Sequence, residues 1–401
     1  MNTATVAAAA TGPVKLRATA SDHAAGAAVL VVALVLVGFL ALPLLSILLQ
    51  ALQDKDGRLV WLANFVAYAQ TPALLESLWN SIWVSVVVTL LAVPTAFVFA
   101  YALTRSRMRF KALFRGITLI PLLAPSLLSA ISLIYWFGNQ GLLKAWLTSI
   151  GVDQIYGAPG IVVAEWFAVF PHALMILVTA LTAADGRLYE AADALGTSGL
   201  RKFWTITLPG AKYGLISASL VVFTLVVTDF GIPKVIGGNF NVLATDVYKQ
   251  VIGQQNFSMG AVVGMVLLAP AALAFVVDRL VQRKQVALLT ARAVPLVPKP
   301  KPGRDFAFTL FCTLVSIGIL AILGMAIWGS LIKYWPYNLS LTLDNYDFAK
   351  FDANGWDSYW NSVEMAVGAA LFGTALMFTG AWLTEKTRDF HLVRGVVQLL
   401  A

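Results

Sequence analysis

Few residues of this chain have side chains suited to catalysis or ligand binding. The clearest of them is an aspartate inside an apolar stretch. Asp229 is followed by Gly231 and Pro233 in the stretch Thr-Asp-Phe-Gly-Ile-Pro. An acid inside an apolar span is costly and usually faces a pathway or a partner, and Pro233 would break a helical hydrogen-bond ladder. We interpret Asp229, Gly231 and Pro233 as a bend. Either it lines a polar path, or Asp229 caps the broken helix or pairs with Lys234.

The remaining reactive residues do not form a catalytic or metal-binding pattern. Glu165 and His172 flank the start of another apolar stretch, where the histidine either lines a path or packs between helices. The three histidines are scattered, and Cys312 is the only cysteine. Neither a His-Glu-x-x-His motif nor a phosphate-binding glycine loop occurs. The sequence therefore predicts no catalytic residue, no metal ligand and no bound cofactor.

A second candidate group lies in the short polar gap between two apolar stretches. Its members are Glu190, Ala191, Ala192, Gly196, Ile206, Leu208 and Pro209. The alanines favour helix, so we expect a short surface helix that starts near Asp185. Gly196 suits its end, because a left-handed conformation costs glycine little, and Pro209 is expected to stop a second short segment. Such a protrusion fits a groove in a partner protein, whereas the alternative is an amphipathic linker at the membrane surface.

The composition indicates that membrane helices position these residues. Hydrophobic residues make up 59% of the chain and charged residues 12%, and the mean hydropathy is +0.79. A soluble domain of this length is far less apolar. The net charge of +8 is concentrated in short clusters that flank apolar runs and orient helices in a bilayer. Nucleic acid is therefore not expected as a partner.

Stretches of about 20 apolar residues, the length that crosses about 30 Å of hydrocarbon, predict eight spans. We place them at residues 27–50, 78–103, 115–137, 161–184, 212–235, 259–280, 306–333 and 361–384. The loops at 105–115 and 279–304 are rich in lysine and arginine, and the alternate loops carry acids. Basic loops stay in the cytoplasm, so we expect a cytoplasmic N-terminus.

The chain repeats itself on either side of a proline- and lysine-rich linker. Asn64-Phe65 precedes Trp79-Asn80-Ser81, and Asn345-Tyr346 precedes Trp360-Asn361-Ser362. Two homologous halves of parallel orientation are typical of transport proteins. We expect four regions: a cytoplasmic tail (1–26), a six-helix unit (27–285), a cytoplasmic linker (286–305) and the start of a second unit (306–401). After Arg394-Gly395 only six residues remain, too few for a ninth span.

The spacing from Glu190 to Pro209 resembles the loop through which permeases of binding-protein-dependent ABC importers contact their ATPase. The whole chain looks like the fused type I permeases of the ferric iron and 2-aminoethylphosphonate group. The resemblance implies an all-α polytopic membrane protein with one complete six-helix unit and part of a second. It also implies the bacterial inner membrane as location.

The same resemblance implies partners and a function. ABC ATPase subunits, a pair of them, would use ATP and Mg and drive transport, so that this chain is not itself an enzyme. A periplasmic solute-binding protein would deliver the solute, and membrane lipids would surround the chain. A second permease chain would complete the translocation path if the present chain pairs with one. The segments around Asp229, Gly237 and Tyr248 are most similar to the 2-aminoethylphosphonate branch, with ferric iron as the alternative. An ion-coupled secondary transporter is the rival from another class.

Overall fold

The chain folds almost entirely into helices. The computed structural model describes residues 20–286, 294, 296–386, 393, 395 and 397. In chain order the α-helices are α1 (Ala20–Leu36), α2 (Leu42–Ala51), α3 (Ala63–Ala69), α4 (Pro72–Arg105), α5 (Lys111–Leu119), α6 (Ser126–Phe137), α7 (Lys144–Ser149), α8 (Ala158–Thr182), α9 (Gly186–Ala194), α10 (Gly199–Lys202), α11 (Leu208–Thr228), α12 (Gly231–Ile236), α13 (Leu243–Tyr248), α14 (Phe257–Val286), α15 (Pro302–Ser330) and α16 (Asp357–Lys386). An antiparallel hairpin of β1 (Ile332–Tyr334) and β2 (Asn338–Leu341) follows α15.

Some predicted features lie outside the described residues. They are the tail up to residue 19, residues 287–293 and 295 of the linker, and Phe390, His391 and Arg394. Cys312 is fully buried in α15, as its apolar surroundings in the sequence predict.

Contacts among the described residues form two units. One comprises residues 48–346 and contains every candidate site residue. The other comprises the described residues up to Ile47 together with those from Asp347. In this second unit α1 packs against α16 through an apolar cluster that includes Val32, Leu36 and Leu383.

Within the described residues, seven helices are long and apolar enough to cross a membrane, or eight spans if one bent pair counts as a span. Seven of the eight predicted spans therefore have a continuous helix. The exception is residues 115–137. There the chain bends by 102° between Lys111–Leu123 and Ser126–Phe137, because Pro121 and Pro125 each lack the N–H that an uninterrupted helix needs. The predicted span at this position is therefore a bent pair of helical segments and not one straight helix.

The span that follows the polar gap begins earlier and ends earlier than the prediction of 212–235. It runs from Gly199 to Thr228, and Pro209 lies inside it rather than at a stop. A π-helical turn at Phe203–Thr207 accommodates the proline. The N–H of Leu208 donates to the carbonyl of Phe203, one residue further back than in an α-helix, a common local adjustment in an otherwise α-helical segment.

The core of residues 48–346 is built by α4, α8 and α11, whose facing sides are apolar and fully buried. Close approach depends on small residues. A Cβ added to Gly214 of α11 would lie 2.3 Å from the Cβ of Ala180 in α8, so only glycine permits this spacing. Trp166 of α8 also donates from Nε1 to Oγ1 of Thr95 in α4 at 3.0 Å. The bundle therefore provides a rigid support for its polar loops.

The sequence repeat recurs as a repeated hydrogen-bond pattern. Asn64 donates from Nδ2 to the carbonyls of Ala51 (2.9 Å) and Gln53 (2.8 Å), at the end of α2. Asn345 donates in the same way to Ser330 (3.1 Å) and Ile332 (2.7 Å), at the end of α15. Each asparagine thereby pairs with the carbonyl of the last helical residue, which the helix leaves free, and with the carbonyl two residues further on.

Candidate functional site

The Glu190 loop, residues 185–209, starts with the short helix that the sequence predicts. Oδ1 of Asp185 accepts a hydrogen bond from the N–H of Arg187 at 3.0 Å and caps α9. Gly196 ends the helix with φ +66°, and the N–H of Thr197 donates to the carbonyl of Ala192 at 2.9 Å. The left-handed conformation explains the glycine, since other residues adopt it at a cost.

The predicted residues of the Glu190 loop divide into an exposed and a supporting set. Glu190, Ala191, Gly196 and Pro209 are exposed, Ile206 and Leu208 are half-buried, and Ala192 is buried. Large apolar side chains that the sequence reading did not single out add to the exposed set: Leu188, Leu195, Leu200 and Trp204. A surface that combines an acid with exposed large apolar side chains is typical of a protein interaction site.

Two contacts join α9 to the bundle. The hydroxyls of Tyr189 and Thr207 form a hydrogen bond of 2.9 Å, and the guanidinium of Arg105 lies 5.0 Å from the centre of the Tyr189 ring. Arg105, the last residue of α4, also donates from Nη2 to the carbonyl of Leu181 in α8 at 2.6 Å. A displacement of α9 would therefore also shift α4, α8 and the span that starts at Gly199.

The described residues of the linker contact the Glu190 loop at Val294, Leu296 and Lys299. The N–H of Gly186 donates to the carbonyl of Val294 at 2.8 Å, and a Cβ on Gly186 would meet that oxygen at 3.0 Å and the Cα of Leu296 at 3.1 Å. Lys299 donates from Nζ to Oδ2 of Asp193 at 3.0 Å, and Lys202 contacts the other oxygen of Asp193. These two ammonium groups lower the pKa of Asp193 to about 2.

A second polar site lies where two spans are broken. A cavity of about 160 Å³ is lined by Ser126 at the start of α6, by Glu165 and His172 of α8, and by Asp229 between α11 and α12. We call it the acid-pair cavity. Glu165 is 2% exposed, and its carboxyl lies close to that of Asp229 in this cavity. Two neighbouring carboxyl groups that are shielded from water favour a proton on one of them.

The predicted bend at Asp229, Gly231 and Pro233 is present. α11 ends at Thr228, and Oδ2 of Asp229 accepts from the N–H of Ile232 at 2.8 Å, which caps α12. Asp229 thus has the capping role that the sequence offered as one alternative. It forms no ion pair with Lys234, whose Nζ lies 4.4 Å from the centre of the Tyr248 ring. Pro233 is buried within α12.

Sequence reasoning did not find Arg105, Tyr189 or Thr207, nor the contact between Glu165 and Asp229. In the sequence Arg105 is one of several basic residues in a short loop, where hydropathy gives it only an orienting role. Its burial follows from the packing of α4 against α8, which no local pattern indicates. Glu165 does not flank the start of its span but lies inside α8. Among the described residues, no group of three or more histidine, cysteine or acidic side chains is arranged to hold a metal ion.

The comparison with known families covers both sites. Residues 92–287, from α4 to the end of α14, match the family described as binding-protein-dependent transport system inner membrane component. This segment, just under half of the chain, is similar to that family and includes the Glu190 loop, Glu165 and Asp229. The family description and the apolar helices support a multi-pass protein of the inner membrane.

Individual relatives are more distant. The chain is 26% identical over 302 residues to the ferric transport system permease protein FbpB of Actinobacillus pleuropneumoniae, an alignment that covers 71% of this chain and 44% of the relative. It is 28% identical over 239 residues to the molybdenum transport system permease protein ModB of Mycobacterium bovis, covering 60% of this chain and 87% of the relative. The chain thus spans less than half the length of the ferric relative.

A solved structure shares the fold. One chain of a bacterial alginate ABC transporter, crystallised in complex with an alginate pentasaccharide-bound periplasmic protein, superposes with a TM-score of 0.52 at 15% identity. The match covers 68% of the present chain and 97% of that chain. It supports the type I ABC importer permease fold expected from the sequence.

Proposed function

We propose that this permease is the membrane subunit of an ATP-driven importer and that the Glu190 loop receives the movement of a separate ATPase. The observation that carries the proposal is the arrangement of α9. Its outer side presents Glu190 and Leu195 to a partner, while Tyr189 connects it to Thr207 and Arg105. A docked protein that moves α9 therefore acts directly on three spans.

The proposed cycle is alternating access. ATP binding closes two partner ATPases, the Glu190 loop transmits their movement, and the spans open outward to take solute from a periplasmic binding protein. Hydrolysis resets the path inward. ATP and Mg are used by the partner, and the N-terminus of the permease is cytoplasmic, in agreement with the basic loops.

The test is co-purification of the permease with its ATPase. We expect Glu190→Lys to reduce both ATPase association and solute-stimulated hydrolysis at least tenfold. Glu76→Lys is the matched control, because Glu76 is equally exposed but lies in the first turns of α4, at the other end of that helix from Arg105. If both variants associate and hydrolyse like the unchanged protein, the coupling role is wrong, and transport driven by an ion gradient becomes the better explanation.

We further propose that the acid-pair cavity belongs to the translocation path, with Asp229, Gly231 and Pro233 forming its bend. Broken helices and ionisable side chains within a membrane commonly mark such paths. The cavity brings together two carboxyl groups that can accept hydrogen bonds from an ammonium group. This chemistry supports 2-aminoethylphosphonate as the solute, since that molecule carries an ammonium group.

Ferric iron is the second candidate, favoured by the name of the Actinobacillus pleuropneumoniae relative. Uptake assays distinguish the two solutes. Cells that carry the complete transporter should accumulate labelled 2-aminoethylphosphonate, and Asp229→Asn should reduce the uptake while ATPase association stays intact. Accumulation of labelled iron instead, with no 2-aminoethylphosphonate uptake, would assign the permease to iron.

A further inference from the structure

Arg105 is a buried cation without an anionic partner among the described residues. Its side chain is 5% exposed, and it forms no ion pair within the described part of the chain. Its contacts are the carbonyl of Leu181 and the face of the Tyr189 ring, and Nε has no hydrogen-bond partner among the described residues. Burying a charge without a counter-ion is expensive. This arrangement indicates a missing anion.

The space beside Arg105 is suited to hold one. A cavity of about 440 Å³, which we call the arginine cavity, is lined by three cations, Arg105, Lys111 and Arg115. Among the described residues, no acidic side chain lines it. Lys111 donates one hydrogen bond to the carbonyl of Ser106 at 2.5 Å, which leaves two of its three N–H donors available. Arg115 is exposed. Cationic donors on one side of a cavity match the oxygens of a phosphate group.

The walls and the location indicate which kind of phosphate. Leu103, Val178 and Leu296 supply apolar walls. The cavity lies where α4 and α8 end and α5 begins, beside the Glu190 loop. The ends of spanning helices lie at the depth of lipid headgroups. Basic cavities between helices on the cytoplasmic side of a membrane bind anionic headgroups.

We propose that the arginine cavity binds the phosphate group of an anionic phospholipid. Arg105 and Lys111 contact the phosphate from the bundle side, Arg115 contacts it from the surface, and the apolar walls receive the adjoining glycerol and upper acyl carbons. The bound headgroup neutralises the buried guanidinium. A free phosphate ion offers the same oxygens without the apolar part.

The site also has a consequence for coupling, and this consequence rests on the proposed function. Arg105 contacts Tyr189, the residue next to Glu190, and Tyr189 is hydrogen-bonded to Thr207. An anion that holds the guanidinium in place therefore holds α9 in place. ATP hydrolysis by the assembled transporter should depend on anionic lipid, whereas lipid binding by the permease alone should not require an ATPase.

Binding is tested by native mass spectrometry of the purified full chain in detergent with added phosphatidylglycerol or phosphatidylcholine. We expect preferential retention of phosphatidylglycerol. Replacing Lys111 and Arg115 together by glutamine should weaken this retention about tenfold or more, since each basic residue near a membrane contributes substantially to anionic lipid binding. Arg109→Gln is the matched control, because Arg109 is exposed in the same basic loop but does not line the cavity. Arg105→Gln is tested second, since its burial makes misfolding a risk.

The outcomes separate the alternatives. If inorganic phosphate at millimolar concentration displaces the lipid and binds alone with the same dependence on Lys111 and Arg115, the phosphate site is supported and its source is soluble. If the double variant retains phosphatidylglycerol as Arg109→Gln does, the proposal is overturned. ATPase assays in nanodiscs with and without phosphatidylglycerol test the effect on coupling. If lipid binding is normal but Glu190→Lys leaves ATPase association and hydrolysis unchanged, the proposed function is refuted and the lipid site is not.

Discussion

Lys299 and Asp193 are 106 residues apart in the chain, yet the Nζ of one lies 3.0 Å from Oδ2 of the other. Their contact joins the linker to α9. It is accompanied by the hydrogen bond from Gly186 to Val294 at the opposite end of α9. The described linker residues therefore pack on the Glu190 loop, where the sequence alone indicated only a connection between two halves.

Gly186→Val should detach the linker from α9. The first added carbon would already lie 3.0 Å from the carbonyl oxygen of Val294, so that a larger side chain must push the linker away. Limited digestion with proteinase K should cut after Leu296 several times faster than in the unchanged protein. Gly199→Val is the control, because Gly199 also begins a helix but has open space around it. Equal digestion of both variants would contradict the contact.

Lys299→Gln should raise the pKa of Asp193 from about 2 towards its ordinary value. Two ammonium groups stabilise the carboxylate, and removing one weakens that stabilisation. Because the folded pKa lies below the unfolded value of about 3.9, the contact stabilises the loop fully above about pH 4. This stabilisation is lost as the pH falls towards 2. Carbon NMR titration of the Asp193 carboxyl measures the shift, and Lys301→Gln should leave it unchanged.

Glu165→Gln should be tolerated much better than Glu165→Ala. Glutamine keeps a donor for Asp229 in place of the shared proton, whereas alanine leaves Asp229 without this partner and enlarges the cavity. Losing both a buried hydrogen bond and the side-chain volume that fills the space lowers the free energy of unfolding by about 2 to 4 kcal/mol. Thermal unfolding in detergent should show a clear drop in the unfolding temperature for Glu165→Ala and a small one for Glu165→Gln. Equal destabilisation would argue against a proton-bearing pair.

Gly231→Ala and Gly264→Ala should change stability in opposite directions. A Cβ on Gly231 would lie 3.0 Å from Oγ of Ser126 and 3.2 Å from Cδ2 of Leu127, and such overpacking costs about 1 to 3 kcal/mol. Gly264 lies in α14 with no atom within 4 Å of an added Cβ, and alanine there stabilises a helix by about 0.5 to 1 kcal/mol. Denaturant unfolding of both variants checks the contrast. A stabilising Gly231→Ala would contradict the close approach of α12 to α6.

The sequence predicts local features well and distant contacts poorly. The helix from Gly186 to Ala194 and its end at Gly196 depend on neighbouring residues, and both were predictable. The start of the next span was missed because Arg201 and Lys202 lower the hydropathy of a segment that is nevertheless helical. The pairing of Glu165 with Asp229 depends on how α8 packs against the break after α11. No pattern within either segment contains that information.

The hydrogen bonds of Asn64 and Asn345 bear on the descent of the chain. Unrelated membrane helices share hydropathy, because any apolar sequence of sufficient length will cross a bilayer. They have no reason to share an asparagine that bridges two carbonyls just beyond a helix end. Its recurrence at both places indicates that one ancestral segment was duplicated and that the copies kept the same chemistry where the chain leaves the membrane.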